Sequence, residues 1–75
     1  MNLVKRSLSL SGHQTSVALE PEFWAVLEAM AQRRGGTVSA LLRSLDETRG
    51  HRPLASAARV AALIWAADRA PLTEP

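Results

Sequence analysis

The sequence lacks cysteine altogether and contains only two histidines. The first absence excludes disulfides and thiolate metal sites, and it is typical of proteins from a reducing cytoplasm. His13 and His51 lie in separate turn-like segments without the paired spacing of metal ligands. We therefore expect no metal and no cofactor.

Long apolar runs are missing too. No run approaches the length of a membrane span, and the N-terminal segment MNLVKRSLSLSG lacks the extended apolar region of a secretion signal. The apolar content of 47% is still that of a folded protein. These features predict a soluble, cytoplasmic protein with no membrane partner. A chain of 75 residues is also near the lower limit for an independent core, so self-association is expected to add stability.

Signatures of common catalytic sites are absent as well. No G-x-S-x-G elbow accompanies the serines, and a chain of this length builds no deep pocket. Gly35-Gly36-Thr37 lacks the Gly-Lys-Ser/Thr ending of a phosphate loop and instead fits the end of one helix and the cap of the next. We expect no catalytic residues and no enzymatic activity.

The net charge is only +2, but its distribution is uneven. Residues 1–19 contain Lys5 and Arg6 and no acidic residue. This basic start either forms part of a phosphate-binding ribbon or belongs to an ordinary mixed surface.

Alternating apolar and polar residues predict strands in two short segments. VKRSLSLS places Leu8 and Leu10 on one side, and TSVALE does the same with Val17 and Leu19. A turn signal around Gly12 separates the segments. The second segment either forms a hairpin with the first or pairs with its own copy from another subunit.

Two helices follow. The first begins at Pro21, which suits the first helical position, and ends before Gly35. The second begins after Thr37, a good N-cap. Their apolar faces consist of Phe23, Trp24, Leu27, Met30 and Ala31 in the first helix and Val38, Leu41, Leu42 and Leu45 in the second. Trp24 is therefore expected to pack in the core.

A third helix is predicted over residues 54–69. It is apolar nearly all round, which indicates burial on more than one side and is compatible with an oligomer larger than a dimer. Trp65 is expected to pack on its apolar face. Arg59 is the lone charge in the middle of this helix; it either points to solvent or pairs across a subunit interface with an acid such as Asp46 or Glu47.

The motifs GHQTSVALEPEFW, TVSALL and LASAARV resemble the small bacterial ribbon-helix-helix domain proteins of the fourth type, over about residues 5–65. The resemblance implies a mainly α fold with an N-terminal strand or strands, two core helices and an additional C-terminal helix, in an intertwined homodimer. It divides the chain into a basic arm or extra strand (1–14), a ribbon-helix-helix core (15–50), a C-terminal helix (51–70) and a tail (71–75). The implied dimer core consists of Val17, Leu19, Phe23, Trp24, Leu27, Leu41, Leu42 and Leu45.

The resemblance also implies a function, because this superfamily binds double-stranded DNA with a two-stranded ribbon in the major groove. The base-facing side chains would be Ser16, Ala18 and Glu20. Phosphate contacts would come from Thr37, Val38 and Ser39 at the start of the second helix, supplemented by Lys5, Arg6 and His13. Arg33 and Arg34 are expected to serve the end of the first helix instead. The expected function is a small transcriptional regulator.

Two positions on the ribbon favour an alternative function. Members of the family often carry an arginine where this chain has Ala18, and Glu20 would be repelled by phosphates. A protein with this ribbon is also compatible with an oligomeric interaction or assembly module that has little sequence-specific DNA binding.

Overall fold

The chain forms a two-stranded antiparallel sheet followed by three helices. The computed structural model describes residues 2–69. The predicted tail, residues 71–75, lies outside this range. The elements are β1 (Val4–Leu10), β2 (His13–Leu19), α1 (Pro21–Arg33), α2 (Val38–Thr48) and α3 (Leu54–Arg69).

Strands β1 and β2 pair within one chain. Of the two arrangements predicted for the second strand, the structure therefore contains the hairpin with the first strand. The register runs from Val4 opposite Leu19 to Leu10 opposite His13. Only Ser11 and Gly12 connect the strands, and both have positive φ, at 50° and 81°. Positive φ at both loop residues is the mark of a type I′ turn, whose twist matches that of the paired strands.

Short backbone motifs fix the ends of α1 and the start of α2. Gly35 has a φ of 72°, and its amide donates to the carbonyl of Gln32 while Gly36 donates to Ala31, both at 3.0 Å. This pair of bonds is a Schellman motif, which satisfies the last carbonyls of a helix. One residue further on, the hydroxyl of Thr37 accepts from the amide of Ala40 at 3.1 Å and caps α2.

One chain is sufficient to bury most of the side chains expected in a dimer core. Phe23 and Leu45 are half-buried. The other members are no more than 4% exposed: Val17, Leu19, Trp24, Leu27, Leu41 and Leu42. Helix α3 covers them, because it contacts α1, α2 and β2 and buries Ala58 and Ala62 almost completely. The burial of these residues therefore requires no second chain.

The outward side of α3 is exposed in the single chain. Leu63 and Ile64 are each 64% exposed, and Val60 is 37% exposed. Within this chain α3 is thus buried on one side, where the sequence indicated more than one. Among residues 2–69, no helix has both the length and the apolar character required to cross a membrane.

Candidate nucleic-acid interface

The hairpin has one face against the core and one face toward solvent. Residues directly opposite one another in an antiparallel pair share a face, so the register places Leu8, Leu10, Val17 and Leu19 together on the core side. We call the opposite side the outer face; it consists of Lys5, Ser7, Ser9, Gln14, Ser16 and Ala18. All of these side chains are exposed except Ala18, which is half-buried. The outer face thus has one positive charge, four uncharged polar side chains and no carboxylate.

Of the predicted base-facing residues, Ser16 and Ala18 lie on the outer face, but Glu20 is held elsewhere. Glu20 follows the end of β2, and its carboxylate accepts from Nε of Arg59 at 3.0 Å. A hydrogen bond from its own backbone amide, and then the bond from Arg59, hold the pKa of Glu20 below its ordinary value. Glu20 is therefore an ionised partner of α3.

The same contact identifies the acid that pairs with Arg59. It is Glu20 of the same chain rather than Asp46 or Glu47, and Asp46 instead accepts from Arg49 at 2.7 Å. Sequence spacing could not identify the pair, because Glu20 and Arg59 are separated by 39 positions. The guanidinium of Arg59 also lies 5.7 Å from the centre of the Phe23 ring.

Lys5 and Arg6, both predicted to contact phosphates, lie on opposite faces of β1. Lys5 is exposed on the outer face. Arg6 points to α1, where its guanidinium lies 2.8 Å from the Glu28 carboxylate and 4.4 Å from the centre of the Trp24 ring. The Trp24 indole in turn donates to the carbonyl of Val4 at 2.7 Å. Arg6 and Trp24 together attach β1 to α1.

The start of α2 has donors available for an anion. The amide of Ala40 is used by the Thr37 cap, whereas those of Val38 and Ser39 donate to no protein acceptor among the described residues. Arg34 and Thr37 line the same open groove, of about 220 Å³. The end of α1 therefore places Arg34 beside the N-terminus of α2, where anions are favoured. The sequence analysis expected Arg34 to serve the end of α1 instead of DNA, and this expectation stays a prediction.

Gln14 is one of three outer-face residues, with Ser7 and Ser9, that the sequence analysis did not assign to DNA contact. Its position has the same parity as Ser16, so the period of two was a signal that could have identified it. The omission arose because the second strand was predicted from Thr15, whereas β2 begins at His13. A glutamine amide can both accept from and donate to an adenine edge in the major groove.

Comparison with known proteins establishes the family. The profile of the ribbon-helix-helix domain family matches residues 3–66, so the chain belongs to that family, and the resemblance drawn from its motifs is confirmed. A solved structure of an uncharacterized protein from Bordetella pertussis Tohama I is similar, with 38% identity and a TM-score of 0.76. The match covers 96% of this chain and 65% of that one, so this chain spans less than two thirds of the length of its structural relative. No curated protein matches the sequence.

The described part of the chain, residues 2–69, contains no group of three or more His, Asp or Glu side chains placed to hold a metal ion.

Proposed function

We propose that this protein is a ribbon-helix-helix transcriptional regulator that binds double-stranded DNA through the outer face of its hairpin. The observation that carries the proposal is the chemistry of this face. It presents Lys5 and four hydrogen-bonding side chains without a carboxylate. The sequence analysis counted the nearby Glu20 against DNA binding. Its carboxylate pairs with Arg59, so its negative charge is compensated within the chain.

The dimensions of the hairpin support the same role. The major groove is about 12 Å wide and admits a two-stranded ribbon, and β1 and β2 form such a ribbon within one chain. Pairing of two β2 strands from different chains would extend the hairpin to four strands, with about 14 Å between the outer backbones. That sheet is wider than the groove. We therefore assign DNA contact to the hairpin itself.

Different parts of the chain would then contact bases and phosphates. Gln14 and Ser16 are the proposed base contacts, with Ala18 able to touch only a thymine methyl. Lys5, the free amides at the start of α2 and Arg34 are the proposed phosphate contacts. Arg6 and Glu20 have structural partners and are not proposed to contact DNA.

We also propose that the protein self-associates, as is typical of its family. The exposed apolar side of α3 supports this proposal. The same observation favours the alternative function, an interaction or assembly module that retains the fold and has little sequence-specific DNA binding.

Neighbouring substitutions in β1 test the proposal. Lys5→Ala removes one phosphate contact, so it should weaken binding to all duplexes and reduce the slope of log affinity against log salt by about one. Fluorescence anisotropy with a labelled duplex at several salt concentrations measures both quantities. Arg6→Ala is the matched control: it removes the same charge from the other face, so it should lower stability and leave the slope unchanged. Equal slopes for the two variants would show that the outer face is not the contact surface.

A random-duplex selection with the purified protein separates the two functions. Enrichment of a defined sequence supports a regulator, and Gln14→Ala should then relax preference at one base pair, with a loss of about 1–3 kcal/mol at that position. Absence of binding to every duplex at low salt would refute DNA binding and leave the assembly module.

A further inference from the structure

The buried indole of Trp24 holds the peptide group that precedes Lys5. Its Nε1–H donates to the carbonyl of Val4 at 2.7 Å, across 20 positions of the chain. That carbonyl belongs to the peptide bond between Val4 and Lys5. Trp24 is only 2% exposed and belongs to the apolar core, so its donor has a fixed position. The backbone immediately before Lys5 is therefore tied to the core through α1.

A second contact with α1 follows directly after Lys5. The guanidinium of Arg6 lies 4.4 Å from the centre of the Trp24 ring and 2.8 Å from the Glu28 carboxylate. Trp24 and Glu28 are four positions apart in α1, so they lie on the same face of the helix. The chain is thus held on both sides of Lys5, before it by a backbone hydrogen bond and after it by a side chain.

Other contacts at the start of β1 are weak. Leu3 is 51% exposed and Val4 is 40% exposed, so apolar packing contributes little there. Lys5 is exposed on the outer face and forms no ion pair with any other described residue. Ends of strands with few buried contacts fray readily. A segment that must be ordered on binding lowers affinity, whereas one already ordered does not.

We propose that Trp24 is a positioning residue for DNA binding: it holds Lys5 in place through the Val4 carbonyl and the stacked Arg6, and does not itself contact DNA. The inference rests on the proposed function, in which Lys5 contacts a phosphate, and it adds a core residue of α1 to that site. The order of the ribbon at Lys5 is a property of the free protein, so it exists before any duplex is bound.

Mobility of the free protein tests the inference without DNA. Trp24→Phe retains an aromatic ring for Arg6 but removes the Nε1–H. The backbone order parameter of Lys5, measured by ¹⁵N relaxation, should fall from about 0.85, the value of rigid backbone, towards about 0.6. Trp65→Phe makes the same substitution in α3 and should leave Lys5 unchanged, while circular dichroism checks that both variants fold. An unchanged order parameter in Trp24→Phe would overturn the positioning role.

A double-mutant cycle tests the consequence for DNA binding. Trp24→Phe should weaken duplex binding about 2–10-fold, because Lys5 must then be ordered on binding. The slope of log affinity against log salt should not change, since the charge of Lys5 is still present. In the Lys5→Ala background, Trp24→Phe should cause no further weakening. A general structural defect would weaken binding equally in both backgrounds, and that result would overturn the inference.

Exposed positions of α1 give a test that does not alter the core. Glu28→Gln removes the ion pair with Arg6, whereas Glu22→Gln removes the same charge at an exposed position without an ion pair among residues 2–69. Both variants raise the net charge equally, so Glu28→Gln should bind a duplex about 2-fold more weakly than Glu22→Gln. Equal affinities would overturn the part of Arg6 and Glu28 in holding Lys5.

The outcomes separate this inference from the proposed function. If Lys5→Ala leaves both affinity and salt slope unchanged, the phosphate contact itself is refuted and the positioning role falls with it. If Lys5→Ala weakens binding but Trp24→Phe does not, the phosphate contact stands and the positioning role is wrong. Anisotropy titrations of the original chain, the two single variants and the double variant with one labelled duplex distinguish these results.

Discussion

At the residue scale, ion pairs decide which charged side chains remain available for a ligand. Glu20 and Arg59 are bonded to each other, and Arg6 is engaged by Glu28 and Trp24. Lys5, one position from Arg6, remains on the outer face. Adjacent basic residues therefore have different roles because a strand directs successive side chains to opposite faces.

The lowered pKa of Glu20 predicts a pH dependence of stability. Since its pKa is lower in the folded chain than its ordinary value of 4.5, the contribution is fully present above pH 4.5 and is lost as the pH falls through the folded value. Urea unfolding between pH 6 and pH 3 should show this loss, and it should be shallower in Glu20→Gln. Glu47→Gln removes one exposed carboxylate without an ion pair among residues 2–69 and is the control. Equal pH profiles for both variants would contradict a specific contribution from Glu20.

At the element scale, the hairpin depends on a turn whose residues must adopt positive φ. Gly12 does so freely, but Ser11 at 50° is in a region that side chains disfavour. Asparagine tolerates this conformation better, and Asn-Gly is the preferred type I′ pair.

Ser11→Asn should therefore stabilise the protein by about 0.5 kcal/mol, which corresponds to an increase in Tm of about 2–4 °C. Differential scanning calorimetry measures the change. Ser9→Asn makes the same substitution on the outer face within β1, where no positive φ is required, and should give no increase. An increase in Ser9→Asn as large as in Ser11→Asn would exclude relief of turn strain as the cause.

Periodicity and capping residues predicted the elements because both act locally. Pro21 begins α1, Thr37 caps α2, and α3 covers the predicted residues 54–69. The partners of β2 and Arg59 could not be predicted in the same way, because they depend on contacts between distant parts of the chain. The position of Arg34 beside Thr37 likewise depends on the tight turn that joins α1 and α2.

At the scale of the whole molecule, α3 closes the core by close approach of its backbone. Ala58 is fully buried and Ala62 is 1% exposed, at the contacts of α3 with the rest of the chain. Because the side chains at these positions are small, the backbone of α3 lies close to its neighbours. No space is then left for a larger side chain, since protein interiors are close-packed.

Ala58→Leu should consequently destabilise the protein by about 1–3 kcal/mol. The free energy of unfolding from urea titration measures the effect. Ala25→Leu, at an exposed position of α1, should be close to neutral. If Ala58→Leu were as stable as the original chain, α3 would not be packed as closely as the structure indicates.

The two tryptophans give the protein separate optical reporters. Trp24 lies beneath Arg6 and donates to Val4, so its fluorescence responds when the hairpin detaches from α1. Trp65 borders the groove beside Asp68, with the Arg69 guanidinium 4.3 Å from its ring centre, so its fluorescence responds to coverage of α3. With Trp24→Phe and Trp65→Phe, each signal can be recorded alone. In these two single-tryptophan variants, movement of the hairpin and coverage of α3 can thus be followed separately and without an added label.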